Sequence, residues 1–205
     1  MIKNVIFDMG NVILAYDPIQ ACLRHGDTRE NAEKLCSAIF RSPRWGECVD
    51  GGLMTDLEYI PDAQSRLDTW ELKGMAAKVL RDWWHDGLYP ITGMDQLIKE
   101  LLDAGVGLYI LSNVGYSFPK FSYKIPYFDH FSGVMLSCEE KLRKPDPKLF
   151  LRLCDRYHLK PEECLFVDDL SSNVGGAHQA GMQGHVFADC DIGQLRRHIQ
   201  ALRQE

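Results

Sequence analysis

Short unbroken apolar runs alternate along much of this chain with longer stretches whose apolar positions recur three and four apart, and the two patterns predict different elements. Val5-Ile6-Phe7 is β-branched and aromatic and too short for a helix, so it predicts a buried strand, closed by the charge of Asp8. Val106 to Leu111, Leu165-Phe166-Val167 and Gly184 to Ala188 predict further strands, and Gly133 to Leu136 a weaker one. Met94, Leu97, Ile98, Leu101 and Leu102 follow the helical period until Gly105 stops it. Leu149, Phe150, Leu153, Cys154 and Tyr157 mark one face of a second helix, and Pro161 opens the turn into the following strand. Ser171 is placed to cap a helix running to Ala180 and ended by Gly181, while Ile192, Leu195, Ile199 and Leu202 line a closing helix. Strands alternating with helices imply crossover units and hence an α/β fold around a parallel sheet.

Residues 15–87 read differently. All four tryptophans (Trp45, Trp70, Trp83 and Trp84) fall there, strand-like runs are absent, and the segment is helical in pattern, punctuated by Gly46, Gly51-Gly52 and Pro61. Thr55-Asp56-Leu57-Glu58 has the form of a capping box. The expected division is a core of residues 1–14 and 88–205 with a helical insert, 15–87, as a lid. At 205 residues and 45% hydrophobic, the chain is long enough to bury a full core and carry such a subdomain.

A net charge of −6 argues against a nucleic-acid footprint. Small anionic ligands stay open, because a bound cation can reverse the local field. The seven cysteines are scattered with no C-x-x-C pair, as expected of reduced thiols, and the seven histidines show no zinc spacing. The first strand comes too early for a secretory leader, and no apolar stretch approaches the ~20 residues of a membrane span. The expectation is a soluble cytoplasmic protein, monomeric or homodimeric, without nucleic-acid or membrane partners.

Charge at the ends of the apolar runs changes the picture most. Ligands of open α/β sheets collect outside the carboxyl ends of the strands. Asp8 and Asp168-Asp169 would meet there, and clustered carboxylates suit a hard cation such as Mg²⁺. Ser112-Asn113 follows another strand, Lys144 sits within Arg143-Lys144-Pro145-Asp146, and Asn173 lies four residues past the acidic pair. Each alone has an ordinary reading: a lone Asp caps a helix, Ser-Asn makes a loop, and a lone Lys is solvated. Their order along one sheet edge makes a catalytic site the better account.

That order resembles the haloacid dehalogenase superfamily over nearly the whole chain. Its members carry an Asp nucleophile after strand one, a Ser or Thr after strand two, a Lys, and an acidic pair after a later strand. The resemblance implies a Rossmann-like three-layer core with a central parallel sheet and an inserted α-helical cap of subclass I. Phe7-Asp8-Met9-Gly10-Asn11-Val12, with Leu111-Ser112-Asn113 and Arg143-Lys144-Pro145, is similar to the branch that contains bacterial α-D-glucose-1-phosphate phosphatase. It further implies a hydrolase of phosphoric monoesters that attacks phosphorus with Asp8 and forms an aspartyl-phosphate. Mg²⁺ would be held by Asp8, the Gly10 carbonyl and Asp169, with Asp168 acting directly or through water. Lys144 and Ser112 would be catalytic. Phosphate oxygens of a small phosphorylated metabolite would rest on Ser112, Asn113, Lys144 and the backbone of Gly10 and Asn11.

One position departs from the pattern. Many phosphatases of the superfamily have a second Asp two residues after the nucleophile, which protonates the leaving group; here it is Gly10. Acid–base help of that kind contributes roughly 10²–10⁴-fold. The substrate could have a better leaving group, such as the anomeric oxygen of a hexose 1-phosphate. A residue of the insert or Asp17 could supply the proton, or the chain could be a phosphometabolite-binding protein without turnover. Metal-independent 2-haloacid dehalogenases also lack the second Asp, but they have no need of an acidic pair. Trp83-Trp84-His85 reads as packing within the insert, with one of the three free to face a substrate.

Overall fold

The computed structural model of the chain describes residues 1–204. Five strands form one parallel sheet. In chain order the elements begin with β1 (Asn4–Phe7), a short strand β2 (Leu14–Tyr16), and helices α1 (Pro18–Leu23), α2 (Arg29–Ile39), α3 (Ile60–Gln64), α4 (Trp70–Asp82) and α5 (Trp84–Gly87). Strand β3 (Leu88–Pro90), α6 (Met94–Asp103), β4 (Gly107–Ser112), β5 (Gly133–Leu136), α7 (Ser137–Glu140) and α8 (Pro147–Tyr157) follow. The chain closes with β6 (Cys164–Asp168), α9 (Ser171–Gln179), β7 (Gln183–Val186) and α10 (Ile192–Gln204). The sheet order is β5-β4-β1-β6-β7, with Asn4 opposite both Gly107 and Cys164, so β1 is the central strand.

Val5, Ile6 and Phe7 are all fully buried, because both faces of the sheet are covered. The pleat then sorts them. Val5 and Phe7 join Leu97, Ile98, Leu195 and Ile199 of α6 and α10 on one side. Ile6 joins Leu149, Phe150, Leu153 and Val174 of α8 and α9 on the other. This is a three-layer α/β core.

Helices α1 to α5 lie between β2 and β3, which pair antiparallel, Tyr16 opposite Leu88. Their starts obey local rules: Asp17 caps α1 ahead of Pro18, and Thr28 and Thr69 cap α2 and α4 through their hydroxyls. The β2–β3 ribbon stands at the two ends of 15–87, with only Ala15 and Tyr16 of β2 inside those bounds. Its three-residue strands carry no readable alternation; only their mutual pairing defines them. The capping box at Thr55 is made in both directions, Glu58 N–H to Thr55 Oγ1 at 3.3 Å and Thr55 N–H to Glu58 Oε2 at 2.8 Å. It heads a turn, however, and the helix starts only at Ile60. Ser171 begins α9 but makes no side-chain cap; Asp168 Oδ1 instead accepts from Leu170 N–H at 2.9 Å. All seven cysteines are free thiols and only Cys190 is exposed. Among the described residues no helix is long and apolar enough to cross a membrane.

Candidate active site

Strands β1, β4 and β6 are parallel, so their carboxyl ends place Asp8, Ser112 and Asp168 on one rim. A cavity of about 620 Å³ opens over it, lined on the core side by Asp8, Gly10, Ser112, Asn113, Lys144 and Asp169. Lys144 Nζ lies 2.8 Å from Asp8 Oδ1 and 2.7 Å from Asp168 Oδ2. Residues remote in sequence thus meet in one buried ion cluster.

Each member is held by a specific partner. Asp8 Oδ1 also accepts from Met9 N–H at 2.7 Å, which fixes the rotation of the carboxylate. Asp168 is wholly buried, and four hydrogen bonds from three donors saturate it: Lys144, Leu170 N–H, and Asn173 Nδ2 to both oxygens. Asn11 adopts the left-handed backbone that Asn tolerates, φ 55°, and reaches Asp169 Oδ2 with its amide at 3.0 Å. Asn113 donates to the Lys144 carbonyl at 3.0 Å and accepts from Lys144 N–H at 2.9 Å. Asn113, expected to take part in holding phosphate, spends its side-chain amide on seating the lysine and lines the cavity. Gly10 faces open space: a Cβ built there would meet nothing within 4 Å.

Oxygen atoms of Asp8, Asp168 and Asp169 all lie within 4.8 Å of one another. With Lys144 as the one cation of the cluster, three carboxylates leave two negative charges uncompensated when all are ionised. Burial, with a further push from Asp168, raises the Asp8 pKa to about 6 against the pull of Lys144. Burial raises Asp169 as well. On Lys144 burial works against the ammonium, but the two carboxylates outweigh it and its pKa goes up. A hard all-oxygen donor set with an excess of two charges fits a divalent cation such as Mg²⁺. Asp8 and Asp169 are the residues that could hold one. Asp168, its lone pairs already taken, anchors Lys144.

The other half of the cavity comes from residues the sequence did not single out. Tyr16, Phe40, Trp45 and Trp83 form an aromatic wall in edge-to-face contact, with ring centroids 5.0–6.2 Å apart. Arg41, Asp50 and Arg143 add charge. Of Trp83-Trp84-His85, Trp83 lines the cavity. Asp17 is taken out of contention as a proton source, because its carboxylate caps α1 by accepting from Ile19 and Gln20 N–H. The one sequence signal at Asp50 is negative: neither three nor four residues away, at Gly46, Glu47, Leu53 or Met54, is there a cation to pair with it.

Comparison with known proteins identifies the family and the fold. Residues 2–181 match the family model described as haloacid dehalogenase-like hydrolase. A sesquiterpene phosphatase of Aspergillus oryzae is 28% identical over 189 residues, covering 91% of this chain and 90% of that protein. An (S)-2-haloacid dehalogenase of Burkholderia cepacia is 28% identical over 190 residues, covering 88% and 80%. Among solved structures, an enzyme of the same family from Bacteroides thetaiotaomicron, in complex with magnesium and inorganic phosphate, superimposes with a TM-score of 0.69 at 23% identity. That match covers 91% of this chain and 94% of the other.

Proposed function

The chain belongs to the haloacid dehalogenase-like hydrolase family, and from that premise we propose that it is a Mg²⁺-dependent phosphatase of small phosphorylated metabolites, working through an aspartyl-phosphate on Asp8. The observation that carries this reading is the charge excess around Lys144. A dehalogenase needs a nucleophilic Asp and a cation, but nothing asks it to gather two further carboxylates beside them. A phosphatase does need them, because charge on the phosphoryl oxygens dominates the transition state and a cation must be held against it.

The chain's own residues then have distinct tasks. Lys144 keeps Asp8 ionised and offers its remaining N–H to a phosphoryl oxygen. Ser112, at the end of β4, and the backbone N–H groups after Asp8 receive other oxygens. Asn113 and Asp168 hold Lys144 in place from opposite sides. When bound, Mg²⁺ supplies Lewis-acid compensation of phosphate charge. The helical segment 15–87 acts as the cap that encloses the substrate and excludes water.

For the body of the substrate two readings stand. A hexose 1-phosphate suits Gly10, since an anomeric oxygen leaves with less protonation. The aromatic wall of Tyr16, Phe40, Trp45 and Trp83 favours an apolar body, the class named for the Aspergillus relative. Phosphate release from a panel of sugar 1-phosphates and prenyl phosphates, with Mg²⁺ and with EDTA, decides between them. Chelation is expected to abolish release, and Asp8→Asn to remove both turnover and the phosphoenzyme. Turnover that survives Asp8→Asn, or that ignores chelation, overturns the reading.

A further inference from the structure

Asp50 is the last residue of a wide helical turn, Trp45–Asp50, that reaches from the insert into the catalytic cavity. The core holds it there. Ser137 Oγ, at the end of β5, donates to the Asp50 carbonyl at 2.6 Å and accepts from Val114 N–H at 3.0 Å. The half-buried Asp50 lines the same cavity as Asp8. Among the described residues it has no ion-pair partner. Arg143, the cation with the strongest pull on it, forms no salt bridge among the described residues either. Yet a Cβ built at Gly46 would sit 2.6 Å from Arg143 Nη1 and 4.0 Å from Asp50 Oδ2, so both groups crowd one corner.

The groups facing Asp50 are Arg143 and Lys144 from the segment before α8, Asp8 from β1, Asp56 from the insert, and the Tyr16 phenol. We propose that the Asp50 carboxyl is the proton donor and acceptor that replaces the side chain missing at position 10. This rests on the phosphatase reading above. Burial keeps the acid in its neutral form well above the usual carboxylate range, with Asp56 and Asp8 adding to it and Arg143 and Lys144 only partly opposing. A neutral carboxylic acid lining the catalytic cavity is the form a proton donor needs.

Two steps balance. An Asp8 oxygen forms a bond to phosphorus as the P–O bond to the alcohol breaks, and the Asp50 proton passes to the departing oxygen, which leaves as ROH. Asp50, now a carboxylate, takes a proton from the water that attacks phosphorus. The Asp8–P bond breaks, inorganic phosphate leaves, and Asp50 is again protonated.

Stopped-flow and steady-state kinetics of wild type and Asp50→Asn with 4-nitrophenyl phosphate and an alkyl phosphate test this. Nitrophenolate needs no proton to leave, so the variant is expected to release one equivalent per site in a burst at near the wild-type rate. Its steady state should then fall by about 10²–10⁴-fold. Mass spectrometry should find the phosphoryl group trapped on the Asp8 peptide. With the alkyl phosphate the burst should vanish. Circular dichroism establishes that the variant folds, and Asp50→Ser takes its place if it does not. A change confined to KM, or equal loss of burst and steady state on nitrophenyl phosphate while wild type turns over, overturns the role of Asp50 alone. A wild type that cleaves no phosphomonoester overturns the phosphatase reading itself.

Discussion

Asn11 bears on the chemistry through a neighbour. Its amide holds Asp169 Oδ2 while its own Oδ1 accepts from Tyr16 N–H at 3.0 Å, tying the carboxylate proposed to hold the cation to the last residue of β2. Asn11→Ala leaves that carboxylate free to rotate, and loss of such an outer partner is worth about 10–100-fold in metal affinity. Calorimetric titration of Mg²⁺ is expected to show a weakening of that order with the fold intact; an unchanged affinity would remove Asp169 from the cation site. At this scale the sequence was legible where a residue's oddity was local. Asp8 and Asp168-Asp169 stood out because charge follows directly on a buried apolar run. The bond between Asn113 and Lys144 is illegible for the opposite reason. An amide binds whatever the fold brings to it, and Lys144, thirty-one residues away, is invisible in the order of residues. Asp50 went unnoticed because its significance lies in the partners it lacks.

Elements repeat that contrast. Strands β1, β4 and β6 could be read from the chain because burial on both faces demands unbroken apolar runs. Helices α6 and α8 were equally legible, since each buries one stripe. The β2–β3 ribbon was not, and neither was the Trp45–Asp50 turn, whose wide geometry is set by what it rests on. Gly52 shows the constraint. It has φ +72°, and a Cβ there would come within 2.0 Å of the Cys138 carbonyl oxygen, a backbone atom of α7 that cannot swing aside. Lys141 Nζ and Tyr116 hydroxyl both donate to the Gly52 carbonyl, so the turn is clamped to the core from two sides. Gly52→Ala therefore has to lift the insert off α7. A cost of about 1–3 kcal/mol is expected from the backbone conformation alone, or roughly 2–12 °C in Tm for a chain of this size. A fall in kcat/KM should accompany it, since Asp50 moves with the turn. Calorimetry beside kinetics checks both, and a variant with wild-type Tm would show that the close approach to Cys138 is not maintained in solution.

For the molecule as a whole, the question is what joins insert to core, and Asp56 supplies the answer with a pH dependence. It is 3% exposed and belongs to the insert; its Oδ2 accepts from Trp83 Nε1 at 3.1 Å and from Ser117 Oγ, a core residue in the loop after β4. Its Oδ1 is buried with no partner. Burial raises its pKa from 3.8 to about 6, against the pull of the Trp83 bond and Lys120. The folded protein thus holds this proton more tightly than the unfolded chain does. By linkage, the stability contributed by protonation is fully present below about pH 4. It is lost as pH rises through about 6, amounting to about 3 kcal/mol across that window. Asp8, Asp50 and Asp169 are shifted in the same direction, so metal-free protein should lose stability from this site on going from pH 4.5 to 7.5. Bound Mg²⁺ should return part of it, because ligand that binds only the folded state stabilises it. Asp56→Asn isolates one contribution. It keeps an acceptor for Trp83 and Ser117 but cannot ionise, so its urea-unfolding free energy should vary less with pH than wild type by that same amount. Equal slopes for the two proteins without metal would mean that Asp56 is already ionised and solvated at neutral pH. The insert would then be joined to the core by the β2–β3 ribbon and the Gly52 turn, without this carboxyl.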